Sequence, residues 1–411
     1  FTKENKIFIH FITLQFIKIL DELRTKGCLE NGVRIGTGLG ILKVISYASL
    51  KDVIFPPDLD IRLPDHTIIA TAKAVQANSD KRKTILVSRD INMRVICDSI
   101  GIAAEDYVSE KAVTSSDELY TGFSIHLVDD EIIERHYAGE EIMFTEDEVD
   151  EVWHPNQYIM MVSNANEKKS ALARFINHHT PIVKVANKKI PDWNIDARNK
   201  EQAFAIDMLL DPNIKIISLI GRAGSGKTLC AIAAGLSQTL ERQGKKHMGS
   251  EPLYKKLVVS RPIQPVGKDI GFLPGSMEDK MMPWLAPIQD NLQYLMGNDK
   301  LTLDSYLKSG TIEMEAITYI RGRSISDAFI MIDEAQNLTT HELKTILTRV
   351  GENTKIVLTG DVEQIDNTYI NETTNGLTYA VEKFKNEDLA GHIILQKGER
   401  SKVATLAAKL L

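Results

Sequence analysis

The sequence predicts an α/β protein with two strand–helix regions, the second built on a parallel sheet. Three observations carry that expectation. Short apolar runs alternate with helix-period stretches over residues 1–110 and again over 191–411, and such alternation produces parallel sheets covered on both faces. Residues 111–190 differ: they are more acidic, with short strand-like runs parted by charged turns, and read as a small β-rich connector. The pattern Gly-x-x-x-x-Gly-Lys-Thr stands at 221–228, behind an apolar run and ahead of a helical one.

In chain order, residues 7–20 are apolar but interrupted by His10, Gln15 and Lys18. The run is too short to span a bilayer, and no small-residue cleavage site comes after it. It reads as a strand entering a helix of a buried core, and the expected compartment is the cytoplasm. Leu14, Ile17, Leu20 and Leu23 recur at helical spacing. Residues 65–75 read as a helix with an acid at its start, 84–88 as a short buried strand and 92–101 as a further helix. In the connector, strands are expected at 122–129, 140–144 and 157–163, with Glu146, Asp147, Glu148, Asp150 and Glu151 on a solvated face. From residue 191 onward, apolar runs at 215–220, 257–260, 329–332, 355–359 and 392–395 predict the buried strands of the parallel sheet.

Composition narrows the function classes. The chain has 411 residues, enough for two domains and a smaller third element. Its net charge of −7 leaves any nucleic-acid partner to local basic patches. Cys28, Cys97 and Cys230 lie far apart, which argues against a disulfide framework and fits a reducing compartment. The ten histidines show no spaced ligand set, which argues against structural zinc. The chain begins at Phe1, not Met, and reads as a fragment.

The stretch Gly221, Arg222, Ala223, Gly224, Ser225, Gly226, Lys227, Thr228 is a phosphate-binding loop. Its glycines let backbone N–H groups turn toward phosphate oxygens, and the N-terminus of the next helix adds positive potential. Lys227 is placed to reach the β- and γ-phosphates, and the Thr228 hydroxyl to ligate Mg²⁺. Hydrolysis also needs an acid for the metal and a base for water. The apolar run 328–332 ends in Asp333-Glu334-Ala335-Gln336. Asp333 fits the metal acid and Glu334 the base that positions the attacking water. Capping of a helix after the strand is the competing role for both acids.

The run 355–366 ends a strand in Thr359-Gly360-Asp361, with Gln364 one turn later; the likeness of this element to helicase-type ATPases implies that Gln364 contacts the γ-phosphate and reports hydrolysis. Asn199 and Gln202 stand about twenty residues before the loop; a Gln amide can pair with the adenine edge. Arg261, Arg321, Arg323 and Arg400 are candidates for stabilising transferred charge, in cis or at a neighbouring subunit's nucleotide, or for gripping nucleic-acid phosphate. Trp284 and Tyr294 are candidates for base stacking, although the stretch 281–285 suits core packing better. Arg242, Lys245, Lys246, Lys255 and Lys256 mimic the basic lid of a small-molecule kinase, but the element at 360–364 speaks against that class.

Together these motifs resemble the PhoH family of ATPases over about the last 220 residues. The matching segments include Ser260-Arg261-Pro262, Gly271-Phe272-Leu273-Pro274-Gly275 and Arg321-Gly322-Arg323. The resemblance implies a RecA-like P-loop NTPase domain, similar to the first motor domain of superfamily 1 helicases, hydrolysing ATP with Mg²⁺. It also implies action on RNA and a homo-oligomeric ring with arginines such as Arg321, Arg323 and Arg400 supplied in trans. The N-terminal part resembles a PIN ribonuclease domain, as in the PIN–PhoH fusion type. Glu22, Asp65 and Asp90 match its carboxylates, which imply a site for Mg²⁺ or Mn²⁺. The strand that opens such domains, with its Asp followed by Thr or Ser and Asn, has no counterpart here, so the nuclease constellation is expected to lack one carboxylate. The competing expectation is a nucleotide-gated scaffold for RNA or a ribosome-associated partner, with slow turnover.

Overall fold

The computed structural model describes residues 20–398 apart from 37–39, 47–55, 58, 61, 79–82, 89, 106–111, 114, 116–117, 150, 187, 192, 241–250, 263–276, 298, 318–323 and 368, and not the side chains of 277–283 or 316. The chain divides into two compact units, Phe1–Glu110 and Lys111–Leu411.

In the first unit, β1 (Val33–Arg34) and β2 (Ile41–Leu42) form an antiparallel pair. Helix α1 (Pro64–Ala77) starts with proline at its first position, where the missing N–H costs nothing. β3 (Ile85–Val87) and β4 (Ala103–Glu105) pair in parallel through α2 (Ile91–Ser99). Asp90 starts α2 by accepting the Asn92 and Met93 N–H groups. Ile69, Ala70, Leu86, Cys97 and Ile102 form the core. The helical spacing of Leu20 and Leu23 meets a short helix at 20–24, while Leu14 and Ile17 lie outside the described residues.

The second unit opens with a four-stranded sheet. β5 (Phe123–Val128), β6 (Tyr158–Ser163), β7 (Ser170–Arg174) and β8 (Val183–Lys184) lie in that order, with β5 and β6 parallel and the rest antiparallel. α3 (Asp130–Ala138) makes the parallel crossover, and Gly139 ends it in the left-handed conformation. A strand was expected at 140–144. The chain there is irregular, and Ile182 N–H reaches the Ile142 carbonyl at 2.8 Å. Ile142 and Phe144 alternate inward as in a strand, but they do so by packing into the connector core around Trp153 and Met161.

The opposite face of this sheet is docked on α4 (Lys200–Leu210), so the connector shares a unit with the main sheet. Tyr158 stacks on Phe204 at 4.5 Å, Phe123 lies 5.5 Å from the same ring, and Tyr158 Oη donates to Asp207 at 3.1 Å. The Arg174 guanidinium pairs with Asp211 and lies 3.8 Å from Asp207. A small pair, β9 (Lys189–Ile190) and β10 (Ile195–Asp196), leads into α4.

The main sheet uses β11 (Ile216–Gly221), β12 (Lys256–Arg261), β13 (Ile312–Ala316), β14 (Ala328–Ile332), β15 (Lys355–Gly360) and β16 (Ala390–Leu395). Its order is β13-β12-β14-β15-β11-β16 and every pairing is parallel. Successive residues point to opposite faces. Ile217, Leu219, Val259, Met331 and Val357 therefore pack on one side with α4 and α5 (Lys227–Thr239). Val258, Ile330, Ile356 and Leu358 pack on the other with α8 (Thr340–Leu347) and α9 (Gly376–Phe384). α6 (Met277–Leu295) and α7 (Lys300–Lys308) stand between β12 and β13. All of β14 and β15 is buried, so the continuous apolar runs are those of a sheet covered twice. Edge strand β13 was not expected. Lys355 is fully buried and donates to the Leu209 and Asp211 carbonyls at 2.7 Å, closing the end of α4; burial pulls its amine down to about 7.

Candidate functional site

The carboxyl ends of β11, β14 and β15 are adjacent, because β15 lies between the other two. Loops leaving such ends converge on one crevice, where ligands of open α/β sheets bind. The crevice here is a cavity of about 300 Å³. The phosphate loop forms one wall, Asp333 and Glu334 after β14 another, and Gly360 at the end of β15, with Asp361 and Gln364 beyond it, a third.

The loop turns as the glycine spacing requires. Gly224 and Gly226 have φ of +81° and +90°, which L side chains rarely adopt. A Cβ at Gly226 would also sit 3.2 Å from the Gln202 amide nitrogen. Lys227 is nearly buried and its ammonium is held inside the loop by the Gly221 carbonyl, the Arg222 carbonyl at 3.0 Å and Ser225 Oγ at 3.5 Å.

Asp333 is buried at the end of β14 and joins the loop to the sheet. Its Oδ1 accepts from Thr228 Oγ1 at 3.1 Å and from Thr359 Oγ1 at 2.6 Å. Thr228, Thr359 and Asp333 are thus gathered as an all-oxygen donor set, the kind a hard divalent cation takes. Glu334, the water-positioning candidate, lines the cavity directly. Gln336 is buried behind it: Nε2 donates to Glu334 Oε2 at 2.7 Å and to the Gln364 carbonyl at 2.8 Å, while Oε1 accepts from Asp361 N–H at 3.1 Å. Asp361 accepts Ala223 N–H at 3.1 Å, and Glu363 holds Arg222 by two parallel bonds, from Nη2 at 2.9 Å and Nε at 3.1 Å. The element after β15 is therefore fastened to the phosphate loop at two points.

Asn199 and Gln202 are placed otherwise than expected. Asn199 caps α4 by accepting Gln202 N–H. The buried Gln202 amide accepts Arg198 N–H at 2.9 Å and donates to the Ser225 carbonyl at 3.0 Å, so in this conformation it braces the phosphate loop from behind in place of facing a base. Gln364 is exposed on the cavity rim. Arg321, Arg323 and Arg400 lie outside the described residues. Of the stacking candidates, Tyr294 is exposed and Trp284 half-buried beside buried Leu285. Sequence reasoning assigned no role to Asn291 of α6, which lines the cavity, or to Thr359 and Gln336. The last two sit inside the strand-end motifs, one residue before Gly360 and two after Glu334; nothing near Asn291 marks it.

Among the described residues of the first unit, the expected metal site is not assembled. No group of three or more His, Cys, Asp or Glu among the described residues is placed to hold a metal ion. Glu22 and Asp65 are exposed, and Asp90 lends its carboxylate to the α2 N-terminus, the competing use of an acid at a helix start.

Similarity to known proteins divides the chain in the same way. The PhoH-like protein family matches residues 194–409, and the PIN domain family residues 14–108. Protein PhoH2 of Bacillus subtilis (strain 168) is 42% identical over 404 residues, 96% of this chain and 88% of its own length. Protein PhoH2 of Mycolicibacterium smegmatis is 34% identical over 399 residues, 97% of this chain and 85% of its own. A PhoH-like protein of Mycobacterium leprae is 39% identical over 151 residues, 37% of this chain and 40% of its own. No helix among the described residues is long and apolar enough to cross a membrane.

Proposed function

The chain belongs to the PhoH-like protein family and carries a PIN domain ahead of its P-loop domain, and from that premise we propose that it hydrolyses ATP with Mg²⁺ and couples the cycle to RNA. The observation that carries this reading is the meeting of Lys227, Thr228, Asp333, Glu334 and Gln364, from three strand ends, around one cavity.

The roles derive from position. The loop amides and Lys227 bind the phosphates, which requires the ammonium to leave its own loop carbonyls. Thr228 and Asp333 would hold Mg²⁺, which would supply neutralising charge to the phosphates. Glu334 orients the attacking water and accepts its proton, and Gln364 contacts the terminal phosphate from the rim. Through Gln336, a change at Gln364 is connected to Glu334 by two hydrogen bonds.

Adjacent metal and water acids favour a hydrolase over a scaffold, since Glu334 faces the cavity beside the metal acid, where a base for water is needed. Coupling to RNA, assembly into a ring with arginines supplied in trans, and a cytoplasmic setting complete the proposal. It is supported by the family's helicase-like motifs and by the PIN domain's ribonuclease type. The test is steady-state ATP hydrolysis by the full chain with and without single-stranded RNA. Wild type should be active, Mg²⁺-dependent and stimulated, and Lys227→Ala inactive. Equal rates for the two would remove this site from the reaction.

A further inference from the structure

The Glu334 carboxylate is held at both oxygens. Arg261 Nη2 donates to Oε1 at 3.2 Å, and Gln336 Nε2 donates to Oε2 at 2.7 Å. The Glu334 backbone is left-handed, with φ of 53°, which a non-glycine residue keeps only when its surroundings hold it there. A general base must turn a carboxylate lone pair toward its water. Here both oxygens face protein donors.

The two clamps differ. Gln336 is buried and tied to β15 through Asp361 N–H and the Gln364 carbonyl, so it moves only with that element. Arg261 ends β12, and its side chain is 23% exposed, within reach of solvent. It meets Glu334 through a single bond that is long for a charge-assisted pair. A guanidinium has five N–H donors in a planar fork that matches phosphate two at a time, so a phosphate competes well for it.

We propose that Arg261 is a positioning residue that holds Glu334 in a resting setting, and that backbone phosphates of a single-stranded nucleic acid draw its guanidinium away and free the carboxylate for water. This rests on the ATP-hydrolysing reading above. It adds the device by which the polymer raises turnover: no new group enters the cavity, and one restraint leaves it.

The experiment measures kcat and KM for ATP on the full chain, with and without single-stranded RNA, for wild type, Arg261→Ala and Arg261→Lys. Loss of the clamp raises kcat of Arg261→Ala without RNA by about fivefold, the factor set by ~1 kcal/mol for a partly exposed pair. Its KM stays within about twofold, because Arg261 does not touch the phosphate loop. RNA then adds little further rate to Arg261→Ala but still stimulates Arg261→Lys, which retains the charge. An Arg261→Ala chain with lowered kcat without RNA, or with RNA stimulation equal to wild type, would overturn the proposal. Failure of the underlying reading looks different: wild type and Lys227→Ala would then be equally inactive.

Discussion

Replacing Arg174 by Met tests whether the connector sheet is part of the nucleotide-binding unit. The Arg174 side chain is 8% exposed and Asp207 and Asp211 are 8% and 16% exposed, so removing the guanidinium leaves two carboxylates with little solvent. Breaking a buried pair in this way costs about 3–5 kcal/mol. Much of that comes from the stranded acids, because two of the guanidinium nitrogens make no hydrogen bond. The pH dependence has a defined sign. Burial pushes the Asp211 carboxyl up, but the Asn213 N–H and the Arg174 guanidinium outweigh it and hold it below the usual range. That stabilisation is present above the ordinary carboxylate pKa of about 3.9 and is lost as pH falls through the lowered value. The assay is urea unfolding followed by tryptophan fluorescence at pH 7. Trp153, Trp193 and Trp284 all fall in Lys111–Leu411, so the signal reports that unit alone. Adding Asp211→Asn to Arg174→Met should restore part of the loss. A penalty below about 1 kcal/mol, or one the second change deepens, would show that the sheet does not lean on α4 through this network.

Other consequences are as direct. Burial pushes His392 down to about 4, so it stays neutral while the unfolded chain protonates near 6.5; stability should fall from pH 6.5 toward 4 by on the order of 3 kcal/mol, and His392→Gln should flatten that slope in acid unfolding curves. Gly226→Ala forces a side chain to φ of +90° and against Gln202, and should raise KM for ATP about tenfold, the equivalent of 1–2 kcal/mol of local strain; an unchanged KM would show that the loop has no need of glycine there. Gly235→Leu drives atoms into Leu257 and Phe329, 2.7 and 3.0 Å from the Cβ position, and should cost about 1–3 kcal/mol by thermal or urea unfolding. Thr359→Val removes the 2.6 Å bond to Asp333 and should shift the Mg²⁺ dependence of hydrolysis to about fivefold higher metal, as expected for one lost bond of ~1 kcal/mol.

The main sheet was legible because burial on both faces leaves uninterrupted apolar runs, and each expected strand lies within two residues of an observed one. β13 escaped because Ile312 and Met314 alternate with Glu313 and Glu315, a weaker pattern at an edge. α3 had readable signals that the strand-like runs around it masked: Asp130 and Glu131 at its start, Arg135 and His136 at its end, Gly139 after it. The phosphate loop, Asp333 and Glu334 were legible because their chemistry is local and their spacing distinctive. Gln202 was not. Its residue type is that of an adenine contact, yet its partners are Arg198 and Ser225, the second reached only by folding. The pairing of Arg174 with Asp207 and Asp211, and of Arg261 with Glu334, joins residues far apart in sequence and arises from topology alone. Asp90 has the residue type of a metal ligand, yet the structure uses it as a helix cap.

The central claim is that the cavity between β11, β14 and β15 turns over ATP with Glu334 as the water-directing group. Single-turnover hydrolysis by Glu334→Gln, with ATP binding measured on the same preparation, tests it most directly. The account predicts wild-type affinity for Mg²⁺–ATP and a hydrolysis rate lower by at least about a hundredfold. Hydrolysis at the wild-type rate would contradict it.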